Sequence, residues 1–272
     1  MHRLGVLGWP VAHSRSPAIH NAALAAMGLD DWHYQRLPVP PGLFEETTRA
    51  LGGAGFYGAN VTIPHKASAL ALAGEASPTA RAIGAANTLT FAPGGEILAE
   101  NTDAPGLLAA LGFSPAGMSA QVLGAGGSAR AAVWALLDAG AGPVWVWNRT
   151  PERAERLAAE LGASATAQPR PADLLVNCTS VGLSVERSAT EDRALNQLRM
   201  TGDQVGEYSH VADLVYRSGS TPLLAAAQMR GVGTTDGLEI LIAQGALSLE
   251  SWTKHAPPLE VMRAAARADP AT

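Results

Sequence analysis

Several things are scarce in this chain, and each shortage narrows what it can be. Its only cysteine is Cys178, so no intrachain disulfide can form, which suits a reducing compartment. A free cysteine at a strand end is expected to be a small buried residue. Aromatics make up 5% of the chain and charged residues 16%, against a usual share of about 25% charged. The 47% apolar share therefore rests mainly on Ala, Leu and Val. With 19 basic and 24 acidic residues the net charge is −5, the wrong sign for a protein that neutralises phosphate backbones, so no nucleic-acid partner is expected. No H-E-x-x-H or Cys/His spacing suggests a metal site, no G-x-S-x-G elbow suggests a hydrolase, and no repeat occurs at solenoid periods. The longest uncharged stretch, 104–129, holds Pro105, Pro115 and six glycines, so it reads as several short elements and not as a membrane span. The opening MHRLGVLGWP has no apolar segment behind a basic stretch, and the closing ADPAT matches no lipidation or retention signal. The expected location is cytoplasmic, away from any membrane.

What is abundant is glycine, 29 of 272 residues, or about 11% against a typical ~7%. A chain of this length favours two domains. Leu4–Leu7 reads as a strand, the polar turn HSRSP leads to a helix over 18–27, and His33–Leu37 reads as a second strand. A helix from Pro41 through about Leu51, a strand around Ala59–Thr62, a helix opened by Pro64 and a hairpin of Leu89–Phe91 with Glu96–Ala99 follow. These elements imply a mixed α/β domain. After Asn101 the pattern alternates: strand 120–123, helix 128–139, strand 144–147, a helix started by Thr150-Pro151, and strands at 174–176 and 211–215. That alternation implies a parallel, doubly wound sheet. Two more helices are expected at Gly237 to about Trp252 and at Leu259–Arg267.

The segment VLGAGGSAR sets Gly124, Gly126 and Ala129 in a G-x-G-x-x-G/A pattern between a strand and a helix, the context a dinucleotide site requires. Gly124 suits the tight turn, Gly126 lets backbone approach a pyrophosphate, and Ala129 keeps the helix close to the sheet. At the end of the next strand an NAD site places a carboxylate. Asn148, Arg149 and Thr150 stand there instead, with Arg153 one turn later. Guanidinium groups suit a 2′-phosphate, so NADP is predicted over NAD.

Polar residues outside that region gather in four short segments: HSRSP with Ser14 and Ser16, NVTIPHK with Asn60, Thr62 and Lys66, GAANT with Asn87, and ENTD with Asn101 and Asp103. Hydroxyls, amides, one ammonium and one carboxylate are what a small polyhydroxylated acid needs for orientation. Asp103 also suits a helix N-cap. His13, His20 and His65 beside these motifs read as packing or loop residues.

With GWPVAHSRSPAIHN, GFYGANVTIPHK, IGAANT, NTDAPG, GAGGSARA, NRTPERA, DLVY, TPLL and DGLEILIAQG in this order, the chain resembles the shikimate dehydrogenase family from end to end. The resemblance implies reversible reduction of 3-dehydroshikimate to shikimate with NADPH, in the shikimate pathway of aromatic amino-acid biosynthesis. It implies a substrate domain from 1–103 plus 238–272, a Rossmann-type NADP domain over 104–237, and an active site in the cleft. Carried over by position, Lys66 and Asp103 are the catalytic pair. Ser14 and Ser16 hold the substrate carboxylate with help from Tyr216, while Thr62, Asn87 and Gln244 contact the carboxylate or ring hydroxyls. Gly124, Ala125, Gly126, Gly127, Ser128 and Ala129 form the phosphate loop, and Asn148, Arg149, Thr150 and Arg153 the adenosine-phosphate motif. Thr179, Leu214 and Gly237 line the nicotinamide side.

Hydride transfer leaves negative charge on the carbonyl oxygen, which a donor must stabilise and protonate. Lys66 fits that task as general acid/base, with Asp103 sharing the proton relay; which of them transfers the proton stays open at this point. The chain departs from the family at Arg217-Ser218-Gly219, where a proline is usual and a looser loop is expected, and at Ile240, where methionine is common. Segment 186–203 receives no role. Two other readings stand: a quinate/shikimate dehydrogenase using NAD or a wider substrate range, and a non-enzymatic NADP-binding regulatory module. Either a monomer or a homodimer satisfies the sequence.

Overall fold

A computed structural model describes residues 2–183, 191–217 and 219–268. The predicted loop position Ser218, part of segment 186–203 and most of the C-terminal ADPAT fall outside the described residues. The chain divides into two compact units, one of Met1–Gly106 with Leu241–Thr272 and one of Leu107–Ile240.

The first unit runs β1 (His2–Gly8), α1 (Ser16–Ala26), β2 (Trp32–Pro38), a 3-10 turn at Pro41–Leu43, α2 (Phe44–Leu51), β3 (Phe56–Val61), α3 (Lys66–Leu72), β4 (Glu75–Ala76), α4 (Pro78–Ile83), β5 (Thr88–Phe91) and β6 (Ile97–Glu100). Its sheet has the order β2-β1-β3-β5-β6-β4. β1 is parallel to β2 and β3, whereas β5 runs antiparallel to both β3 and β6, so the expected mixed sheet and hairpin are present. The predicted helix at Pro41 is two pieces. The predicted start at Pro64 moves to Lys66, because the His65 N–H closes onto Thr62 O at 3.0 Å and leaves Pro64 in a turn before the helix. α4 is an element the sequence reading passed over, although Ser77 accepts from Ala80 N and Pro78 opens the first turn.

β2 is an edge strand, and an unpaired edge invites pairing with another chain. Here the edge is covered. Asn21 of α1 donates from Nδ2 to Tyr34 O at 2.9 Å and accepts the Tyr34 N–H on Oδ1 at 2.8 Å. Beside it the His20 ring stacks on Tyr34 at 4.1 Å, and burial lowers its pKa to about 4. His65 is likewise buried, bonded through Nε2 to Val39 O at 2.7 Å and stacked on Phe44. Both histidines therefore pack the fold.

α5 (Asp103–Leu111) leads into the second unit, which continues with β7 (Ala120–Leu123), α6 (Gly127–Asp138), β8 (Val144–Trp147), α7 (Pro151–Leu161), β9 (Ser164–Ala165), β10 (Leu174–Asn177), α8 (Glu191–Gln197), α9 (Gly202–Val205), β11 (His210–Asp213), α10 (Pro222–Met229) and β12 (Gly233–Thr235). α11 (Gly237–Thr253) then carries the chain back to the first unit, where α12 (Leu259–Arg267) ends it. The second sheet is parallel throughout, in the order β12-β11-β10-β7-β8-β9. Counted within the unit, this is the doubly wound 3-2-1-4-5-6 order. Its strands are short apolar runs because both faces are buried: Val122, Val146, Leu174 and Val176 pack on one side, Leu123, Trp147, Leu175 and Val211 on the other. Cys178, just past β10, is half-buried and not the fully buried residue expected. Among the described residues no helix is long and apolar enough to cross a membrane.

Replacing Asn21 with Ala leaves the Tyr34 N–H and C=O without their side-chain partner. Stability should fall by about 1–3 kcal/mol, read from urea unfolding, with a greater tendency to self-associate.

Candidate active site and dinucleotide loop

The first unit gathers four of the predicted residues into one bonded group. Lys66 is the first residue of α3 and Asp103 the first of α5. The Lys66 Nζ lies 2.7 Å from Asp103 Oδ2, with the two side chains only 10% and 15% exposed. Charges so far out of water need further hydrogen bonds to be tolerated, and Asn87 provides one. Its Oδ1 accepts the Thr102 N–H at 2.7 Å, which fixes the orientation of the amide. Nδ2 therefore faces Asp103 Oδ1 at 2.9 Å and Gln244 Oε1 at 3.0 Å. Gln244 is oriented in turn, since its Nε2 donates to Leu241 O at 2.8 Å. The N-cap role expected of Asp103 belongs to Asn101, whose Oδ1 accepts from Asp103 N at 3.1 Å and Ala104 N at 3.2 Å. Asp103 is thereby left to face Lys66.

Gln244 reaches this group because α5 and α11 touch at their backbones. A Cβ on Gly106 would lie 2.6 Å from Gln244 Cβ and 2.8 Å from its Cα. Any side chain at 106 would push the two helices apart.

Ser14 and Ser16 form a second group, both nearly buried. Ser14 Oγ accepts the Ser16 N–H at 3.3 Å, and Arg36 donates to Ser14 O from Nε at 3.1 Å and Nη2 at 2.7 Å. This group follows β1, while Thr62 and Lys66 follow its parallel neighbour β3. The Thr62 N–H bonds Leu7 O at 2.8 Å, and the Trp9 N–H bonds Ile63 O at 3.0 Å. The two loops thus leave the sheet side by side. No sequence pattern sets the loop after β1 beside the loop after β3; the pairing of the two strands does.

In the second unit Gly124 follows β7 at φ +109°, and a Cβ there would lie 3.2 Å from the Cys178 carbonyl. Only glycine serves that turn. Gly126 is different: a Cβ on it would meet no atom of the chain within 4 Å, so the packing of the chain does not require glycine. Gly126 is the N-cap of α6 and supplies no side-chain cap, which leaves first-turn N–H groups of Gly127, Ser128 and Ala129 suited to an anion. Ala125 is half-buried and Ala129 fully buried against the sheet. At the end of β8, Arg149, Thr150 and Arg153 are exposed, and Asn148 donates to Thr150 O at 2.9 Å. Thr150 occupies the N-cap of α7 without a side-chain cap bond. These are donors, and no carboxylate ends the strand. Loop and motif therefore fit a dinucleotide carrying a 2′-phosphate.

The remaining predicted cofactor residues cluster around one that the sequence reading missed. Asp213, last in β11, is fully buried and accepts on Oδ1 from Asn177 Nδ2 at 2.8 Å and Val215 N at 3.1 Å, and on Oδ2 from Thr221 Oγ1 at 2.6 Å. Asn177 Oδ1 receives both the Thr179 N–H at 3.0 Å and its hydroxyl at 2.8 Å. Asp213 thus holds the turns after β10 and β11 that carry Thr179 and Leu214, with half-buried Tyr216 two residues further. Gly237 closes the group: a Cβ there would lie 2.7 Å from Leu214 O. The signal was present in DLVY, but a buried acid cannot be told from an exposed one without the fold.

Burial pushes the Asp213 carboxyl up to about 6, against three hydrogen bonds that pull it down. The folded state then holds this proton more tightly than the unfolded chain, so the contribution to stability is full below pH 3.8 and is lost as pH rises through about 6. Asp213→Asn can keep the three contacts without the charge. Its unfolding midpoint relative to the parent should climb between pH 5 and pH 8; a difference independent of pH would contradict the buried titration.

Comparisons with known proteins agree over most of the chain. Residues 6–89 match the shikimate dehydrogenase substrate binding domain, residues 108–181 the shikimate / quinate 5-dehydrogenase model, and residues 237–267 the shikimate 5'-dehydrogenase C-terminal domain. The chain is 45% identical to the NADP(+) shikimate dehydrogenase of Methylobacterium radiotolerans, covering 92% of this chain and 90% of that one. The crystal structure of shikimate 5-dehydrogenase from Thermus thermophilus, in complex with NADP(H) and shikimate, superposes with a TM-score of 0.87 at 41% identity, covering 98% of this chain and 99% of that one. A ligand-free 5-ketofructose reductase of Gluconobacter sp. strain CHM43 superposes with a TM-score of 0.79 at 29% identity, over 97% of each chain. By identity and coverage together, this chain belongs to the shikimate dehydrogenase family.

Proposed function

We propose that this chain catalyses the reversible NADPH-dependent reduction of 3-dehydroshikimate to shikimate, with Lys66 and Asp103 as its proton-handling pair. That it is an NADP-dependent oxidoreductase acting on a CH–OH group follows from its family; the keto acid, the direction and the residue roles are our reading. The observation that carries it is the 2.7 Å Lys66–Asp103 pair, shielded from water and braced by Asn87 and Gln244.

Bound NADPH would supply the hydride. The chain's own residues do the rest. The Lys66 ammonium offers donors to an oxygen that becomes negative as the carbonyl is reduced, and one proton passes to that oxygen to complete the hydroxyl. Asp103 Oδ2 orients the ammonium, and the lysine, neutral once it has given up the proton, is reprotonated from water with Asp103 sharing the relay. In the reverse direction the same pair takes the hydroxyl proton. Ser14 and Ser16 are assigned to the carboxylate, whose charge Arg36 behind them favours, while Thr62, Asn87, Gln244 and Tyr216 are assigned to the carboxylate or ring hydroxyls. NADP would be held by the N–H groups at the start of α6 and by Asn148, Arg149, Thr150 and Arg153, with Thr179, Leu214 and Gly237 toward the nicotinamide. The first unit is thus read as the substrate domain and the second as the NADP domain. A cytoplasmic setting in aromatic amino-acid biosynthesis is part of the same reading.

The test is reduction of NADP or NAD by the purified protein, given shikimate or quinate. Turnover is expected with shikimate and NADP; preference for quinate or NAD would assign the wider-range dehydrogenase, and none in any combination a binding module. Because a 5-ketofructose reductase shares the fold, the fold alone does not choose the substrate. Lys66→Ala should lower kcat by roughly 10²-fold or more with a smaller change in KM, whereas near-parental turnover would remove Lys66 from the mechanism. Removing Arg149 and Arg153 together should raise KM for NADP at least tenfold and leave KM for NAD nearly unchanged; equal effects on both cofactors would place the 2′-phosphate elsewhere.

A further inference from the structure

Beneath the Lys66–Asp103 pair lies a layer of buried polar side chains to which the sequence motifs assign nothing: Tyr34, Asn60, Thr88, Thr102 and Ser248, all nearly inaccessible. Ser248 is its hub. The hydroxyl lies 2.8 Å from Asn60 Nδ2, 3.0 Å from Thr88 Oγ1, 3.1 Å from Thr102 Oγ1 and 3.0 Å from Gln244 O. A serine hydroxyl offers one hydrogen and two lone pairs, so it satisfies three of these four at once. Gln244 O can only accept, and takes the hydrogen. Asn60 Nδ2 can only donate, and takes one lone pair. The second lone pair accepts from one of the two threonines.

The other threonine is then free to donate to Asn87 Oδ1, which lies 3.1 Å from Thr88 Oγ1 and 3.2 Å from Thr102 Oγ1. At the far side, Asn60 Nδ2 donates to Asn87 O at 3.2 Å, so its Oδ1 is the face left to accept the Tyr34 hydroxyl at 2.8 Å. Tyr34 thus donates to Asn60, Asn60 and one threonine donate to Ser248, and the other threonine donates to Asn87 Oδ1, while Asn87 Nδ2 meets Thr102 Oγ1 and Asp103 Oδ1, each at 2.9 Å.

We infer that Ser248 is a positioning residue for the catalytic pair, acting through Asn87 on Asp103 without touching substrate. The inference rests on the roles given to Lys66 and Asp103 above. Without the Ser248 hydroxyl, one threonine loses its acceptor in a place water does not reach, while Asn60 Nδ2 keeps Asn87 O and Thr88 Oγ1, each at 3.2 Å. Both threonine hydroxyls then compete for Asn87 Oδ1, 3.1 Å from Thr88 Oγ1 and 3.2 Å from Thr102 Oγ1, and the amide that fixes Asp103 Oδ1 shifts toward them. Asp103 then no longer presents Oδ2 to Lys66 in a single orientation.

The experiment is a double-mutant cycle on the full-length enzyme, with kcat and KM measured for shikimate and NADP in the parent, Ser248→Ala, Asp103→Asn and the pair. Ser248→Ala should lower kcat roughly tenfold, short of the ~10²-fold that an ångström of misplacement can cost, with KM for shikimate within about twofold. In the Asp103→Asn background the same change should lower the residual kcat less than about twofold, since the group being positioned has changed. Thr253→Val is the control for a purely structural loss. It removes a buried hydroxyl from the same helix, bonded to Leu249 O at 2.8 Å, and should leave kcat unchanged. A Ser248→Ala enzyme within twofold of the parent, or one losing the same factor in both backgrounds, overturns the inference. If Ser248→Ala does not fold, Tyr34→Phe removes the outer donor and should lower kcat about threefold with KM held; no change in kcat there also overturns it. Full turnover in Lys66→Ala would instead defeat the underlying reading, so the two failures are separate.

Discussion

An ammonium and a carboxylate that are almost out of water hold together only if their surroundings complete the bonding that each leaves open. Several local features around the pair can be traced to that demand. α3 starts at Lys66 and α5 at Asp103, so each charge emerges at a helix end. Asn101 caps α5 and frees Asp103. Asn87, just before β5, divides its amide between the Thr102 backbone on one side and Asp103 with Gln244 on the other. Even the absence of a side chain at Gly106 serves the pair, because it admits α11 close enough to deliver Gln244.

The second unit meets the opposite problem. Asp213 is buried with three donors and, among the described residues, no cation bonded to it, and burial raises its pKa where in the first unit a lysine stands opposite the acid. A lone acid in this position ties two strand-end turns to one point, at the cost of a charge that becomes less welcome above pH 6. The two acids therefore do different work with the same functional group: one faces an exchangeable partner, the other holds backbone in place.

Strand and helix order was legible because both kinds of periodicity are strong here. The doubly wound sheet followed from alternating short apolar strands and helices, and the dinucleotide loop from glycines whose spacing has a physical reason. Lys66, Asp103 and Asn87 stand out as polar residues in short segments, but a lysine after a proline and a histidine is otherwise an ordinary surface residue, and only the resemblance gives the three a role. The motifs give Asn60 no role, and nothing in the sequence marks Ser248 or Asp213 as buried. Serine on a helix and aspartate after a strand are common, and what sets these apart is the absence of water around them. That depends on which distant segments cover them. Pro64 misled for a local reason: proline favours both a turn and a first helical position, and a single backbone bond from His65 to Thr62 decided between them.

α11 is apolar over most of its length, yet Gln244, Ser248 and Trp252 recur on it every four residues, and the last donates from Nε1 to Leu89 O at 3.2 Å. A helix turns by about 100° per residue. Insertion or deletion of one residue between 237 and 244 would rotate all three off their face together, whereas a loop absorbs such a change. Changes of length should therefore be accepted in surface loops and refused within that helix, whose register carries three separate contacts at once.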